Sequence, residues 1–283
     1  MGRSIVCLTF DFDAMSGWIA RGMTSPSPIS RGEFGPQVGV PRILGLLSEH
    51  GIRTSWYIPG HTLETYPAAC ERIVAGGHEI GHHGWTHRPP ATLTREEEEE
   101  ELVRANDAIE RLTGRRARGY RSPSWDLSPH SVELLLKHGF VYDSSMMADD
   151  YTPYRVRKGD VITLEQPAVF GAETPLIEMP VSWTLDDYPH FEFLRTPTSV
   201  LPGNMNANAV LQNWLDDFLY LDEHLEWGVI TYTFHPFVIG RGHRMLALGR
   251  LVREIESRGA VFMTLEDAAA EYASRAAGTP RTA

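Results

Sequence analysis

Segments typical of buried strands alternate with segments typical of amphipathic helices along most of this chain. Ile5 to Phe10 is a continuous apolar run, as expected of a strand that is buried on both faces. Pro41 to His50 has the spacing of a helix with one apolar side, and Thr54 to Ile58 follows as a second strand. The alternation predicts an α/β fold with a mainly parallel sheet and helical crossover connections.

The same pattern continues towards the C-terminus. We predict further helices over residues 63–74, 94–113, 129–137, 209–221, 245–257 and up to about 273. We predict further strands over residues 78–81, 118–121, 141–142, 229–234 and 260–264. The pattern predicts a long loop over 14–37, a less regular stretch over 144–204 and a frayed tail over 278–283. No repeat or linker divides the sequence, so we expect residues 1–283 to form a single domain.

The helix after Thr94 has the clearest boundaries. Glu97 lies three residues after Thr94, which is the spacing of a capping box, and Gly114 ends the helical pattern. The six consecutive glutamates of residues 96–101 fall in the first turns, where the helix dipole favours negative charge. We therefore interpret them as a solvated face.

Composition limits the class of partner. Hydrophobic residues make up 42% of the chain and charged residues 22%, which suffices for a large core. The net charge of −11 argues against binding to nucleic acid or to an anionic membrane surface. Cys7 and Cys70 lie in apolar surroundings and are interpreted as buried free thiols. The first strand follows Met1–Ser4 directly, and no apolar run approaches the about 18 residues of a membrane span, so we expect a cytoplasmic protein.

Polar residues with catalytic potential follow several of the predicted strands. Since the carboxyl ends of parallel strands meet at one edge of a sheet, side chains at these positions are expected to lie close together. The residues concerned are Asp11 and Asp13 after the first strand, His83 and His87 after the third, Arg121 after the fourth and His235 after a late one.

Three of these residues suit a metal ion. His83 and His87 are spaced i,i+4, which can bring two imidazoles to the same side of a helical turn. Together with Asp13 they offer two nitrogens and a carboxylate, a set that suits one divalent cation with a position open for water. We expect Zn²⁺, with Co, Ni, Mn and Fe as alternatives. His78 and His82 are interpreted as structural, because three protein ligands already suffice.

The remaining residues suit acid–base chemistry. Asp11 is a candidate base, and a guanidinium close to it, that of Arg121, would keep its carboxylate ionised. His235 is a candidate acid, since the pKa of an unperturbed histidine, about 6.5, lies close to a working pH. Trp18, Trp125 and Trp183 flank these motifs and could either stack on a sugar ring or pack over the core.

Four segments of the chain together resemble the polysaccharide deacetylases, carbohydrate esterase family 4. They occur in the order found in that family and the likeness extends over essentially the whole chain: Thr9-Phe10-Asp11-Phe12-Asp13, His83 to His87 with Trp85-Thr86 inside, Arg121-Ser122-Pro123-Ser124-Trp125, and Phe234-His235-Pro236. The resemblance implies a deformed (β/α) barrel, similar to a TIM barrel, with seven or eight parallel strands. It also implies metal-dependent removal of N- or O-acetyl groups.

The resemblance also implies individual roles. Asp13, His83 and His87 would bind the metal, Asp11 would be the base that activates water, Arg121 would position Asp11, and His235 would be the acid. The first motif departs from the family's usual Asp-Asp-Gly, and the family motif around Asp143 to Asp150 is too altered for a partner of His235 to be assigned. These departures resemble an intracellular subgroup that includes peptidoglycan deacetylase-like proteins, allantoinases and cyclic imide hydrolases, whose members are often homotetramers.

Several functions fit these observations. The leading hypothesis is a metal-dependent hydrolase of non-peptide C–N bonds that deacetylates amino sugars. An amidohydrolase of small cyclic imides or ureides such as allantoin would use the same residues. A non-catalytic sugar-binding module would have lost a metal ligand, the base or the acid, and all are present. A structural metal site would need a fourth ligand, which only His78 or His82 could supply.

Overall fold

The computed structural model describes residues 2–195 and 200–278. Eleven strands lie within these ranges: β1 Arg3–Asp11, β2 Ser55–Ile58, β3 Glu79–His82, β4 Gly119–Tyr120, β5 Tyr142–Asp143, β6 Tyr154–Lys158, β7 Ala172–Glu178, β8 Leu194–Arg195, β9 Val200–Leu201, β10 Trp227–Phe234 and β11 Val261–Phe262.

Twelve α-helices lie within the same ranges: α1 Ser16–Ala20, α2 Pro26–Phe34, α3 Val40–His50, α4 Gly60–Thr65, α5 Pro67–Ala75, α6 Arg95–Thr113, α7 Ser131–Lys137, α8 Asp187–Phe191, α9 Ala207–His224, α10 Pro236–Ile239, α11 Gly242–Ser257 and α12 Leu265–Gly278. Shorter helical turns complete the description: Gly35–Gly39, Pro90–Thr92, Pro123–Trp125 and Trp183–Leu185.

Nine of the described strands form one curled sheet. Its order is β10-β1-β2-β3-β4-β5-β7-β6, with β11 also paired to β1. All of these pairings are parallel except that of β6 with β7. The sheet, with helices on its outside, is a partial barrel that stays open between β6 and β10 in the described ranges. The predicted deformed (β/α) barrel is confirmed, with one antiparallel strand at its edge.

The buried strand β1 organises the core. Ile5 to Phe10 are all buried, and the Phe10 ring stacks on Trp56 of β2 at a centroid distance of 4.6 Å. β1 pairs with β10 over eight residues, so that Phe10 lies opposite Phe234 and both strands end at the same level. Cys7 and Cys70 are buried free thiols, as predicted.

The prediction of a long loop over residues 14–37 was wrong. This segment forms α1, α2 and the π-helical turn Gly35–Gly39. Pro26 occupies the first position of α2, where its fixed φ favours a helix and its missing N–H costs nothing. Proline at such a position indicates the start of a helix, although the composition as a whole resembles a loop.

The predicted helix over residues 63–74 is two helices, α4 and α5. Tyr66 separates them with φ −127° and ψ 54°, outside the helical region. The ring of Pro67 disfavours a helical conformation at the residue before it, which accounts for the break. The predicted tail over 278–283 lies outside the described residues except for Gly278, which ends α12.

The capping box of α6 is confirmed, but the interpretation of its glutamates holds only in part. The Thr94 hydroxyl accepts from the Glu97 N–H at 3.3 Å, and the Glu97 carboxylate accepts from the Thr94 N–H at 2.9 Å. Glu98 and Glu101 are buried. Glu98 accepts hydrogen bonds from Ser128 and Ser131, and Glu101 accepts from Arg88 and from the Trp85 N–H. Those two glutamates anchor neighbouring loops.

A pair of buried carboxyl groups joins β5 to β7. Asp143 lies opposite Glu178 in the strand register. Glu178 Oε1 accepts from the N–H groups of Ser145 and Met146, whereas Asp143 Oδ2 and Glu178 Oε2 have no other hydrogen-bond partner in the described ranges. Burial raises the pKa of Asp143 to about 6, and burial together with Asp143 raises the pKa of Glu178 further above its ordinary value. The pair therefore retains a proton near neutral pH.

Glu178→Gln should change how stability depends on pH. The folded protein holds a proton on this pair that the unfolded chain releases above pH about 4, so the pair's contribution falls as the pH rises. Between pH 5 and 8, the free energy of unfolding should fall by about 1–3 kcal/mol more in the wild type than in Glu178→Gln, whose amide donates at every pH. Urea unfolding at several pH values measures this difference, with the exposed Glu165→Gln as control. Parallel curves for wild type and Glu178→Gln would contradict the shared proton.

Candidate active site

The predicted residues converge at the carboxyl end of the sheet. Asp11 ends β1, and Asp13 follows two residues later. His83 directly follows β3, Arg121 follows β4 and His235 follows β10. All five side chains are buried. The strand register thus brings residues up to 224 positions apart in sequence into one site, as the pattern of strand ends predicted.

Asp13, His83 and His87 form a cluster with the composition of a metal site. One donor atom from each lies within 4.8 Å of the others. The His83 Nε2 atom is 3.4 Å from Asp13 Oδ1, and the His87 Nε2 atom is 3.4 Å from Asp13 Oδ2. Asp13 Oδ1 and His83 Nε2 are buried without any hydrogen-bond partner in the described chain. Because buried polar atoms are rarely left unpaired, these atoms fit a cation that they would coordinate.

The protonation states of this cluster are compatible with metal binding. Burial lowers the pKa of His83 and lowers that of His87 to about 3, so both imidazoles are neutral near pH 7. His83 donates from Nδ1 to the carbonyl oxygen of Arg121 at 2.7 Å, which leaves Nε2 free to bind a metal. Burial raises the pKa of Asp13, and an adjacent cation would favour its carboxylate form.

The two histidines meet without a helix, contrary to the expectation from their spacing. Residues 83–89 form an irregular loop in which Gly84 has φ +68° and His87 has φ +60°. The loop is held by hydrogen bonds from the N–H groups of Gly60 and His61 to the carbonyl oxygens of Gly84 and Trp85. Left-handed residues turn this loop back on itself, so the imidazole centroids lie 5.0 Å apart.

His78 and His82 lie outside the cluster. His82 donates from Nε2 to the Leu102 carbonyl at 3.0 Å, and its Nδ1 accepts from the Gly84 N–H at 3.1 Å. His78 Nδ1 accepts from the Thr54 N–H at 3.2 Å. Both ring nitrogens of His82 are therefore engaged in hydrogen bonds that hold the loop. Neither His78 nor His82 therefore supplies the fourth ligand that a structural metal site would need.

Arg121 connects Asp11 to two other strands. Its Nη1 donates to Asp11 Oδ1 and to Thr9 Oγ1, each at 2.8 Å. Its Nε and Nη2 donate to the carbonyl and the hydroxyl of Ser144. Burial alone would raise the pKa of Asp11, but Arg121, with smaller effects of His83 and His235, brings it below the ordinary value. Asp11 is therefore ionised near neutral pH.

The partner of His235 is Asp187, which the sequence did not indicate. His235 donates from Nδ1 to Asp187 Oδ1 at 2.8 Å, and its backbone N–H also donates to that carboxylate. Asp186 Oδ1 lies 3.5 Å from the same Nδ1. Burial alone would lower the pKa of His235, but Asp186, Asp187 and Asp13 together raise it well above its ordinary value. Asp143, at the position where a partner was sought, pairs with Glu178 instead.

Asp186 and Asp187 reach His235 because the chain after β7 crosses the open side of the barrel. Asp186 forms an isolated parallel bridge with Thr233 of β10, two residues before His235. One possible ligand atom from each of Asp186, Asp187 and His235 lies within 4.8 Å of the others. The carboxylates already accept hydrogen bonds, Asp187 from His235 and Asp186 from the Tyr188 N–H. The cluster around Asp13 therefore fits a cation better.

A cavity of about 130 Å³ opens above these residues. Trp18, Trp125 and Trp183 all line it, together with Asp11, Asp13 and His235. Trp125 stacks on Trp183 with ring centroids 4.2 Å apart. Ser124 and Trp125 have φ +58° and +52°, which turns the Trp125 indole towards this wall. The three tryptophans therefore lie where a bound ligand would contact them.

Comparison with known proteins gives consistent matches. The polysaccharide deacetylase profile matches residues 2–142. A peptidoglycan deacetylase from Helicobacter pylori is 36% identical over 96% of this chain and 97% of its own length. The crystal structure of a Mycobacterium smegmatis protein assigned to the polysaccharide deacetylases is 30% identical, covers 100% of this chain and 94% of that chain, and has a TM-score of 0.84.

An allantoinase structure is similar in fold. Its TM-score is 0.78 at 21% identity, over 96% of this chain and 91% of that one.

None of the helices within the described ranges combines the length and the apolar character needed to cross a membrane.

Metal binding should depend on the cluster of Asp13, His83 and His87 and not on the cluster of Asp186, Asp187 and His235. Zinc added to metal-free protein should raise the Tm and bind at about one equivalent, because binding to the folded state stabilises it. His83→Ala and Asp13→Asn should lose most of both effects, whereas Asp186→Asn should keep them. Thermal unfolding and elemental analysis after dialysis measure the outcome. Loss of zinc in Asp186→Asn alone would place the ion beside His235 instead.

Proposed function

Because this chain belongs to the polysaccharide deacetylase family, we propose that it is a metal-dependent hydrolase that removes N-acetyl groups from amino sugars. The observation that carries this proposal is the convergence of Asp11, His235 and the Asp13 cluster on one cavity. A carboxylate base, an imidazole acid and a metal site together suit metal-assisted hydrolysis of an unactivated amide. The relatives described above include a peptidoglycan deacetylase, which supports the same reaction class.

We propose that Asp13, His83 and His87 hold one divalent cation, with Zn²⁺ as the expected ion. Two neutral imidazole nitrogens and one carboxylate suit Zn²⁺, and Co, Ni, Mn and Fe are compatible with the same ligands. A bound cation of this kind acts as a Lewis acid towards the amide carbonyl and lowers the pKa of water. The chain's own contribution is to fix the donor atoms, since the His83 ring is held by the Arg121 carbonyl.

We assign the role of base to Asp11. Its carboxylate lines the cavity, and Arg121 keeps it ionised and fixed in orientation. From this position Asp11 can accept a proton from the attacking water. Arg121 is fully buried and does not line the cavity, so it acts as a positioning residue through Asp11.

We assign the role of acid to His235. Its raised pKa keeps the imidazole protonated near neutral pH, and its Nδ1 is held by Asp187. Nε2 lies 3.7 Å from Asp13 Oδ2, on the side of the metal cluster, so the proton on Nε2 can pass to the departing nitrogen. The three tryptophans that line the cavity would pack against the sugar ring.

A second candidate function is hydrolysis of small cyclic imides or ureides. The observation in its favour is the small volume of the cavity, about 130 Å³, with the stacked Trp125 and Trp183 rings at its wall, which suits a small ring-shaped substrate. The base, the acid and the metal ligands would keep their roles. Acetate release from sugars, set against ring opening of hydantoin or succinimide, distinguishes the two functions.

Asp11→Asn should abolish most activity while zinc stays bound. The amide cannot accept the proton from water, so kcat should fall by about 10²–10⁴-fold. We would measure acetate release from N-acetylglucosamine oligomers by zinc-loaded protein and check the zinc content of each variant. Turnover close to that of the wild type would refute the role of Asp11. If no release occurs from protein shown to hold zinc, the cyclic imides and ureides become the leading substrates.

Asp187→Asn should lower kcat with a smaller effect on KM. Loss of the carboxylate removes the negative charge that raises the pKa of His235, so less of the imidazole carries the proton to be donated. The alkaline limb of the kcat–pH profile should therefore move to lower pH. Asp216→Asn, on the exposed surface of α9, is the control. An unchanged alkaline limb would show that Asp187 has no part in tuning His235.

We also propose that residues 1–283 act as one catalytic domain in the cytoplasm and that the protein assembles as a homotetramer. The assembly is supported by exposed apolar side chains on the hairpin that joins β6 to β7, where Leu164 and Phe170 are among the most exposed. Such a surface is typical of protein contacts. Light scattering and cell fractionation test these two points.

A further inference from the structure

Arg21 lies at the edge of the active-site cavity. It directly follows α1, its Nη1 donates to the Gly17 carbonyl at 3.1 Å, and its guanidinium carbon lies 5.9 Å from the centre of the Trp18 ring. Among the described residues that line the cavity, Arg21 alone carries a guanidinium or ammonium group. Within the described ranges, no carboxylate approaches its nitrogens within 4.0 Å. Its charge is thus not neutralised by a neighbouring acid.

The guanidinium of Arg21 is close to the metal cluster. A Cβ atom placed on Gly17 would lie 3.5 Å from Arg21 Nη1 and 3.9 Å from His87 Nδ1, so both side chains border Gly17. A substrate whose amide reaches the base and the acid would therefore have Arg21 near one of its substituents.

Two residues that line the cavity carry buried hydrogen-bond donors without a partner in the described chain. Trp18 Nε1 and the Tyr188 hydroxyl are buried and make no hydrogen bond within the described chain. Both residues line the same cavity as Arg21. Tyr188 packs against His235, with ring centroids 5.3 Å apart, and Trp18 lies beneath the guanidiniums of Arg21 and Arg31. Because unpaired buried donors are rare, these two beside the cavity indicate groups that a bound ligand or water would satisfy.

We propose that Arg21, together with Trp18 and Tyr188, forms a subsite that binds an anionic substituent of the substrate. This inference rests on the proposed function, because it concerns the substrate of the same site. A guanidinium pairs with either a carboxylate or a phosphate, and the two neutral donors add hydrogen bonds to acceptor oxygens. The chain carries a net charge of −11 and several aspartates border the cavity, so an anionic substrate would need a local cation of this kind.

The competing explanation is that Arg21 is an ordinary solvated surface arginine, since its side chain is exposed. In that case its removal would affect charged and neutral substrates equally. The test must therefore compare substrates that differ only in the anionic group.

Three N-acetylated sugars provide that comparison: N-acetylglucosamine, which is neutral, N-acetylmuramic acid, which adds a carboxylate, and N-acetylglucosamine 6-phosphate, which adds a phosphate. For at least one anionic sugar, the wild type should have a higher kcat/KM than for the neutral sugar. Arg21→Gln should reduce that ratio by about tenfold or more, and Arg21→Lys should restore part of it. The control is Arg111→Gln, an exposed arginine paired with Glu64 outside the cavity. Which anionic sugar responds identifies the group recognised.

Binding of the deacetylated sugars tests the subsite without catalysis. Calorimetry with zinc-loaded protein would compare muramic acid, glucosamine 6-phosphate and glucosamine, which share an amino group and differ in the added carboxylate or phosphate. Arg21→Gln should selectively weaken binding of the sugars that carry the carboxylate or the phosphate. If no acetate is released from any sugar but this selective binding is found, the proposed deacetylation fails while the anionic subsite stands. Equal affinities in the wild type for the sugars with and without the anionic group, or an equal loss for all of them in Arg21→Gln, would overturn the subsite.

Discussion

The buried guanidinium of Arg121 is the interaction on which the site depends. One side chain donates to Asp11 and Thr9 on β1 and to Ser144 after β5, while its backbone carbonyl fixes the ring of His83. A proposed base, a proposed metal ligand and two parts of the sheet are thus held by a single residue. A charge this deeply buried is tolerated only because every direction of the guanidinium meets an acceptor or an aromatic ring, including that of Tyr57.

The positions of the site residues were predictable because they obey a rule about parallel sheets. A polar residue just after a buried apolar run lies at the carboxyl edge, so Asp11, Arg121 and His235 could be placed together from sequence alone. Asp187 could not, because it follows no strand of the barrel and reaches His235 only where Asp186 bridges to β10. The available signal was the adjacent pair of aspartates in a segment rich in aromatic residues.

The predictions about local structure that failed did so for local physical reasons. The segment over residues 14–37 has the composition of a loop, yet prolines at the first turn of α2 favour the helix that forms there. The consecutive glutamates of α6 look alike in the sequence, but Glu98 and Glu101 are buried by hydrogen-bond partners from neighbouring segments, Ser131 and Arg88. The prediction that the His83 and His87 side chains lie close together was correct, but its reason was wrong. Left-handed backbone conformations, and not a helical turn, bring the two rings together.

The left-handed conformations of Ser124 and Trp125 carry a consequence for how this protein can change. A non-glycine residue in such a conformation costs about 1–2 kcal/mol, so glycine would relieve strain at the exposed Ser124. At Trp125 the same replacement would remove a buried indole that stacks on Trp183, and the loss of a buried tryptophan side chain, about 3–5 kcal/mol, outweighs the relief. Selection of random variants for heat resistance alone should therefore enrich glycine at Ser124 but keep Trp125, so the wall of the cavity would persist in the more stable proteins.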